Sequence, residues 1–294
     1  MRTRLLNALV TGVLLMVAAC DSQQVAQTDL TVLRIGVLPD QNPKALKERY
    51  DPLFEHLSST LKVSYEFVPS KSYGDLLEQF VAGRMDLAFF GGLTFLKAQA
   101  ASGAMPIVMR DVDKRFTSYF IVRANDPATS IKDYRNRNFC FGSHLSTSGH
   151  LMPRKFLAER GIIPEEFFAE VCHTGAHDRT VFGVRDGLAD IGVANSQVVK
   201  SMLADGRLSE NDVRILWETP PFPDYVWAVR ATLGSAWRQR VRDAFLGLSP
   251  GNERDARILA RIGAEAFLPA STADFDPLQE VAKTVGVLKL DGGA

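Results

Sequence analysis

The chain has 294 residues, of which 34 are basic and 34 acidic, so its formal net charge is +0. Hydrophobic residues make up 46% of it, an ordinary value for a globular protein large enough for two lobes. The balanced charge argues against a nucleic-acid-binding protein, which normally has a basic excess, but it permits one strongly polarised site for a small anion.

The first residues have the features of an export signal. Arg2 and Arg4 precede an apolar run that is too short to span a membrane, and small residues lead to Cys20. The ending "VAAC" resembles a lipobox, so residues 1–19 are predicted to be a lipoprotein signal peptide and Cys20 the lipidated residue. Residues 20–29 then form the lipidated cysteine and a polar tether. An ordinary signal peptide that ends in cysteine is the alternative.

Strand and helix patterns alternate after the tether. Residues 33–40 predict a strand, residues 47–61 a helix with one apolar side, and residues 63–69 a second strand. A helix over residues 72–84 and a strand over residues 85–92 follow. This order is typical of a parallel sheet covered by helices.

The same pattern restarts further along the chain. Residues 138–143 predict a strand, residues 146–161 a helix, and residues 169–175 a strand. A helix over residues 178–187 and a strand over residues 189–195 complete a second unit. The fold class is therefore predicted to be α/β, with two doubly wound lobes in series.

Residues 213–233 are predicted to be one strand that runs back toward the first unit. The helices expected around residues 235–248 and 253–267 have no strands of their own in this interpretation, and would pack on the first lobe. The predicted organisation is lobe 1 over residues 30–117 and 228–294, lobe 2 over residues 118–227, and a two-segment hinge near residues 116–124 and 224–229.

Cys140 and Cys172 remain after the predicted lipidated cysteine. Both lie in apolar runs that predict buried parallel strands, where disulfide geometry is uncommon. Two buried free thiols are therefore expected.

Ligands of open α/β sheets bind beyond the carboxyl ends of the strands. In the first unit these ends read "PD" and "FFGG", and in the second they read "GSHLSTSG", "HTGAHD" and "ANSQ". The unusual polar clusters of the sequence therefore map to one crevice between the lobes.

Three consecutive hydroxyl residues, Ser146, Thr147 and Ser148, stand directly before a predicted helix. One would be enough to cap it. Unpaired N–H groups and a partial positive charge make a helix start attractive to anions, and Gly149 allows close approach of the backbone. The alternative is a capping motif with spare hydroxyls.

Further candidate residues lie at the other strand ends. His177 can donate to an oxyanion, and the charge of a histidine can vary near neutral pH. The alternative is that Asp178 simply caps the helix and His177 is solvated. Prolines directly before Asp224 and Tyr225 make this segment rigid. The segment is either part of the ligand site or a simple hinge with a surface aspartate. The predicted ligand-binding residues are Tyr73, Phe90, Ser146, Thr147, Ser148, His177, Asp178, Asn195, Asp224 and Tyr225.

Other kinds of site have little support. The five histidines show no metal-ligand spacing, and no phosphate-binding Walker loop occurs, so neither a metal nor a cofactor is predicted. Ser148, His177 and Asp224 lack the nucleophile elbow of a hydrolase. The protein is therefore predicted not to be an enzyme, and a hydrolase built on Ser148 and His177 is the alternative.

The ordered set of motifs "IGVLPDQNP", "YDPLFEHLSSTL", "SYGDLLEQFVAGRMDLAFFGG", "STSGHLMPRKFL", "GAHDRTV" and "TPPFPDY" resembles the periplasmic substrate-binding proteins of phosphonate, phosphite and phosphate ABC transporters. The resemblance covers nearly the whole mature chain. It implies the two-lobed type II fold that closes on its ligand like a clamp. By position it makes residues 146–148 an oxyanion cradle, His177 and Tyr73 ligand contacts, and Asp224 an acidic residue that faces the anion.

Two positions depart from the family pattern. Phe90 stands where phosphonate binders often have tyrosine, and residues 195–197 offer no glutamate for an amino group, which argues against 2-aminoethylphosphonate. The strings "STSGHLMPR" and "GGLTFLKAQ" are similar to a subgroup described as selenate binders. Asp224 instead favours a phosphorus oxyanion as the ligand. A carboxylate accepts a hydrogen bond from a protonated phosphorus oxyanion and repels a bare dianion such as selenate.

The lipobox and the family resemblance together predict a lipid-anchored, monomeric periplasmic protein. Asp21, by analogy with enteric lipoproteins, predicts that it is held at the inner membrane. It would deliver a small oxyanion to an ABC permease and its ATPase. Binding of selenate or sulfate and a sensing role beside a membrane receptor are the alternatives.

Overall fold

The computed structural model describes residues 30–286. The predicted signal peptide over residues 1–19, Cys20 and the tether up to residue 29 lie outside the described residues. Within residues 30–286, none of the helices is both long enough and apolar enough to cross a bilayer.

Strands and helices alternate through most of the described chain. The strands are β1 (Val32–Val37), β2 (Ser64–Val68), β3 (Leu87–Phe90), β4 (Met105–Arg110), β5 (Ser118–Arg123), β6 (Asn138–Phe141), β7 (Glu170–His173), β8 (Ile191–Asn195), β9 (Val213–Glu218), β10 (Val226–Val229) and β11 (Phe267–Pro269). The helices are α1 (Pro43–Leu61), α2 (Tyr73–Val81), α3 (Gly92–Ser102), α4 (Met152–Ala158), α5 (Pro164–Phe167), α6 (His177–Arg185), α7 (Ser196–Ala204), α8 (Ser235–Leu246), α9 (Glu253–Arg261) and α10 (Asp276–Thr284). The predicted α/β fold class is confirmed.

The first lobe is built on a sheet with the order β11-β4-β10-β3-β1-β2. β1 lies between β2 and β3 in parallel, whereas β10 runs antiparallel to both β3 and β4. Local sequence sets the helix starts, since the Asn42 side chain accepts from the Ala45 amide before α1 and Ser72 caps α2 in the same way. The parallel strands thus end together at one edge, where the loops into α1 and α3 begin.

The second lobe is built on a sheet with the order β7-β6-β8-β5-β9. β6, β7 and β8 are parallel, and β5 runs antiparallel to β8 and β9. The carboxyl ends of β6, β7 and β8 therefore carry the loops that precede α4 and α6 and the start of α7.

The segment over residues 213–233 is two strands, so the prediction of a single returning strand was wrong. β9 pairs with β5 in the second lobe, and β10 pairs with β3 and β4 in the first. Pro220, Pro221 and Pro223 lie between them and lack the N–H groups that a continuous ladder needs. β10 pairs with the first sheet from Val226 onward, whereas the predicted boundary placed the return of the chain to lobe 1 at residue 228.

The C-terminal part also differs from the expected pair of helices. The predicted helix over residues 253–267 ends at Arg261, and β11 then pairs antiparallel with β4. β11 belongs to the first sheet, so the expectation that this region has no strand of its own was wrong. A strand of three residues is too short to produce a recognisable strand pattern in the sequence.

Cys140 and Cys172 form a disulfide, which corrects the expectation of two free thiols. The two cysteines are direct partners in the parallel register of β6 and β7, and their Cα atoms are 4.5 Å apart. That separation lies within the range that a disulfide spans. The bond joins the two strands just before the loops that carry candidate site residues.

Candidate anion-binding site

The ten side chains predicted for the site are all buried, with at most 5% exposure each. They come from the carboxyl ends of strands in both lobes and from the crossing segment before β10. The protein therefore encloses polar side chains of kinds that are usually exposed to solvent.

The three consecutive hydroxyl residues have different partners. Ser146 Oγ accepts a hydrogen bond from the Gly149 amide at 2.8 Å and so caps the turn of residues 147–151 that leads into α4. Thr147 Oγ1 accepts from the Leu93 amide of the opposite lobe at 2.9 Å. Ser148 Oγ is buried and has no partner within the protein. Because Ser146 and Thr147 accept through oxygen, their O–H hydrogens also remain available to donate.

The backbone of this turn is held tightly. Ser118, fully buried at the start of β5, donates to the Ser148 carbonyl at 2.7 Å. A Cβ atom on Gly149 would lie 2.8 Å from His177 Cε1 and 2.9 Å from Ser146 Oγ, closer than van der Waals contact allows. Glycine at position 149 is therefore what permits the cradle and His177 to approach each other.

His177 is a neutral hydrogen-bond donor in this environment. Its Nδ1 accepts from the Asn195 amide at 3.2 Å, which leaves the ring proton on Nε2, and Nε2 faces Ser146 Oγ at 3.4 Å. Complete burial lowers the pKa of His177 to about 3. Burial disfavours the imidazolium, so the change of charge near neutral pH that the sequence allowed is not expected for this buried ring.

Asp224 brings a carboxyl group from the crossing segment toward the cradle. Its Oδ1 accepts from the Gly92 amide at 3.0 Å, whereas Oδ2 is buried without a partner. Burial raises the pKa of Asp224 to about 7, and the hydrogen bond from the Gly92 amide opposes this rise. At neutral pH the Asp224 carboxyl group is therefore only partly ionised, so it can either carry a proton or accept a hydrogen bond.

Two tyrosines and a second aspartate lie beside it. Tyr225 Oη donates to Asp40 Oδ2 at 3.1 Å and accepts from Asn195 Nδ2 at 2.8 Å. The Tyr73 hydroxyl is buried and has no hydrogen-bond partner. Burial raises the pKa of Asp40 to about 6. Sequence reasoning did not single out Asp40, although its place directly after β1 at a strand's carboxyl end was the available signal.

Phe90 and Asp178, both predicted to bind the ligand, contact other groups of the protein. The Phe90 ring packs edge-on against Phe80, with centroids 5.0 Å apart, and belongs to the first-lobe core. Asp178 Oδ2 accepts from the Asn42 amide of the opposite lobe at 2.9 Å, and Oδ1 accepts from the Arg179 amide at 2.8 Å. Backbone donors thus occupy both oxygens of Asp178, which joins the lobes.

The two lobes are closed on each other. Besides the Asp178 contact, the His177 amide donates to the Asp40 carbonyl at 3.0 Å, and Thr94 Oγ1 donates to the Leu145 carbonyl at 3.0 Å. Each of these bonds joins a residue of one lobe to a residue of the other.

The donors at the centre are hydroxyls, backbone amides and a neutral imidazole. Three helical segments begin there, at Gly92, Thr147 and His177. Several of their first N–H groups already donate within the protein, but the helix starts still place partial positive charge at the site. The arrangement can bind a small oxyanion through several short hydrogen bonds.

The chain matches the family model described as "ABC transporter, phosphonate, periplasmic substrate-binding protein" over residues 35–275. It is 30% identical over 270 residues to a probable ABC transporter phosphite binding protein of Prochlorococcus marinus strain MIT 9301, covering 88% of this chain and 91% of the relative. It is also 26% identical over 309 residues to a phosphate-import protein of Mycolicibacterium smegmatis, covering 95% of each.

Solved structures agree with these sequence matches. The Prochlorococcus protein in complex with methylphosphonate superposes with a TM-score of 0.83 at 30% identity, covering 88% of this chain and 99% of that one. A binding-protein component of a phosphonate ABC transporter from Pseudomonas aeruginosa superposes with a TM-score of 0.80 at 16% identity, covering 90% of each chain, and supports the fold alone.

Proposed function

Because the chain belongs to the periplasmic substrate-binding proteins of phosphonate-type ABC transporters, we propose that it captures a small, protonatable phosphorus oxyanion between its lobes. The ion is bound by the cradle of residues 146–148, His177, Tyr73 and Asp224, and is delivered to an ABC permease and its ATPase. Cys20 anchors the protein to the periplasmic face of the inner membrane through its lipid.

The main support for the proposal is that three buried polar atoms of the site have no hydrogen-bond partner among residues 30–286. They are Tyr73 Oη from the first lobe, Ser148 Oγ from the second, and Asp224 Oδ2 from the crossing segment. An unpartnered buried polar atom costs about 1–3 kcal/mol, so such groups rarely occur together without a ligand to satisfy them. A tetrahedral oxyanion has several oxygens that can accept from the Tyr73 and Ser148 hydroxyls, and a protonated one can also donate to Asp224 Oδ2.

The carboxyl group of Asp224 selects the chemical class. Phosphite, phosphate and methylphosphonate can carry a proton near neutral pH, and that proton is donated to Asp224 Oδ2. Selenate and sulfate have no proton to donate, and the ionised form of Asp224, which prevails above its pKa of about 7, repels them. Two relatives are named for phosphite and phosphate, and the structure of one contains methylphosphonate.

The test is calorimetric titration of the purified protein at pH 7 with phosphite, methylphosphonate, phosphate, selenate and sulfate. We expect the phosphorus oxyanions to bind and Ser148→Ala to weaken them about tenfold or more, the usual effect of losing a hydrogen bond to a charged group. Ser59→Ala, on the exposed side of α1, is the matched control and should bind normally.

Asp224→Asn separates the two ligand classes. The amide retains the acceptor that faces Gly92 but replaces Oδ2 with a donor, so phosphorus oxyanions should bind more weakly and selenate more tightly. If only selenate or sulfate binds, or if Asp224→Asn changes no affinity, the proposal is wrong.

A further inference from the structure

Three histidines meet on the second lobe, outside the anion site. His144 lies in the loop after β6, His150 in the turn before α4, and His173 at the end of β7. One ring nitrogen from each lies within 4.8 Å of the other two. Sequence spacing predicted no metal site, because these residues come from three segments that only the sheet order brings together.

His150 is oriented as a metal ligand would be. Its Nδ1 lies 2.9 Å from the His144 carbonyl and donates to it, so Nε2 carries the free electron pair. A hydrogen bond from the second ring nitrogen to a backbone carbonyl is the usual support of a metal-binding histidine. Nε2 at present accepts from Arg154 Nε at 3.2 Å, and Arg154 is also held by two hydrogen bonds to Glu165.

His173 supplies an atom that the protein leaves unsatisfied. Its Nε2 is buried and has no hydrogen-bond partner. The ring lies between two others, stacked on His144 with centroids 3.4 Å apart and on Phe141 with centroids 5.3 Å apart. The adjacent disulfide of Cys172 fixes the strand that carries it.

We propose that His144, His150 and His173 bind a transition-metal ion, for which imidazole nitrogen is a preferred ligand. Zn²⁺ is the probe, and Cu²⁺ should bind more tightly by the general order of divalent affinities. Tetrahedral Zn²⁺ needs ligand nitrogens about 3.3 Å apart, so the cluster, with its atoms within 4.8 Å, closes by up to about 1.5 Å when it binds. His144 is exposed, and its ring has to turn out of the stack with His173, because nitrogens of two nearly parallel rings do not point at one ion.

The surrounding charges are compatible with a divalent ion. Arg154 is the nearest cation, but its bidentate ion pair with Glu165 offsets its charge and remains when His150 Nε2 turns to the metal. With three histidine ligands, a water molecule would complete the tetrahedral coordination of the ion.

Metal binding would also affect the neighbouring anion cradle. His144 stands two residues before Ser146, and the intervening Leu145 carbonyl accepts from Thr94 of the opposite lobe. An ion on the three rings therefore ties together the cradle loop, the helix start and β7. The site itself does not depend on which oxyanion the cradle binds.

The test is titration of the purified full-length protein with ZnCl₂, without a histidine tag or chelator, followed by calorimetry. We expect one ion per chain. His144→Ala removes an exposed ring and should preserve the fold, yet it should weaken Zn²⁺ at least about tenfold, the low end of what even outer-sphere partners contribute. His173→Ala should do the same.

His56→Ala is the matched control, because its ring contacts the Ala244 carbonyl on the first lobe and should leave Zn²⁺ binding unchanged. Co²⁺ provides a second readout, since a tetrahedral nitrogen site gives visible absorption bands that His144→Ala should abolish. The proposal is overturned if the protein binds no Zn²⁺, or if the affinity in His144→Ala and His173→Ala equals that of the unchanged protein.

Discussion

The backbone amide of Asn195 donates to Nδ1 of His177 over 3.2 Å, and this contact determines which nitrogen of the ring carries the proton. Asn195 ends β8 and His177 begins α6, so two neighbouring connections of the second sheet meet here. With Nδ1 occupied as an acceptor, Nε2–H is left to donate into the crevice. The ring acts as a fixed neutral donor toward an anion.

We therefore expect His177 to remain neutral, as the Nε2–H tautomer, between pH 5 and pH 8. Burial lowers its pKa to about 3, well below this window. Long-range nitrogen–proton NMR spectra report the tautomer directly, and the signal missing from His177→Ala assigns the ring. A resonance that titrates near pH 6.5 would contradict this account.

Asp224→Asn should stabilise the ligand-free protein at alkaline pH. Burial raises the pKa of Asp224 to about 7, above the value near 3.9 of an unfolded carboxyl. The folded state then binds more protons than the unfolded state between these values, so this group loses stability as pH rises from about 4 to 7. Asparagine carries no charge and avoids that loss.

The measurement is the free energy of unfolding by denaturant at pH 5 and pH 8. The advantage of Asp224→Asn over the unchanged protein should grow between the two, by an amount on the order of a few kcal/mol. Asp40, whose pKa is also raised by burial, is present in both proteins and cancels. An equal difference at both pH values would show that the Asp224 carboxyl does not titrate as stated.

Asp178→Ala should speed release of the bound anion. Its Oδ2 accepts from the Asn42 amide across the crevice, so removing it weakens the closed arrangement without touching the ligand. Losing a hydrogen bond to a charged group predicts a dissociation rate faster by about tenfold or more. Stopped-flow displacement measures that rate.

Asp186→Ala, at the other end of α6, is the control for that substitution. Asp186 is exposed and pairs with Arg185 alone, so its removal should leave the dissociation rate unchanged. Equal rates in Asp178→Ala and the unchanged protein would mean that the Asn42 contact does not hold the lobes together.

Gly149→Ala should abolish tight anion binding. The added methyl group would lie 2.8 Å from His177 Cε1 and 2.9 Å from Ser146 Oγ, which forces the cradle away from the imidazole donor. Gly183→Ala is the comparison, because its methyl group would meet nothing within 4 Å and lies in helix α6.

Alanine at position 183 should retain normal affinity and stabilise the helix by up to about 1 kcal/mol. Calorimetric titration with methylphosphonate compares the two variants. Unimpaired binding by Gly149→Ala would show that close approach of the backbone at this turn is unnecessary.

Much of the fold followed from local patterns. Apolar runs ended by turn residues indicated the strands, and the helical spacing of apolar residues indicated α1 and α2, because both patterns report which face of an element is buried. Ser146 as a cap and Asp40 after β1 are likewise local features, readable at the point where an element begins or ends.

The tertiary structure determined which strands pair and which side chains contact one another. Sheet order set Cys140 against Cys172, brought three histidines together, and divided residues 213–233 between two lobes. Closure of the lobes directed Thr147 to the Leu93 amide and Asp178 to the Asn42 amide. Such contacts join residues far apart in the chain, and periodicity records only that a side chain is buried, not which group meets it.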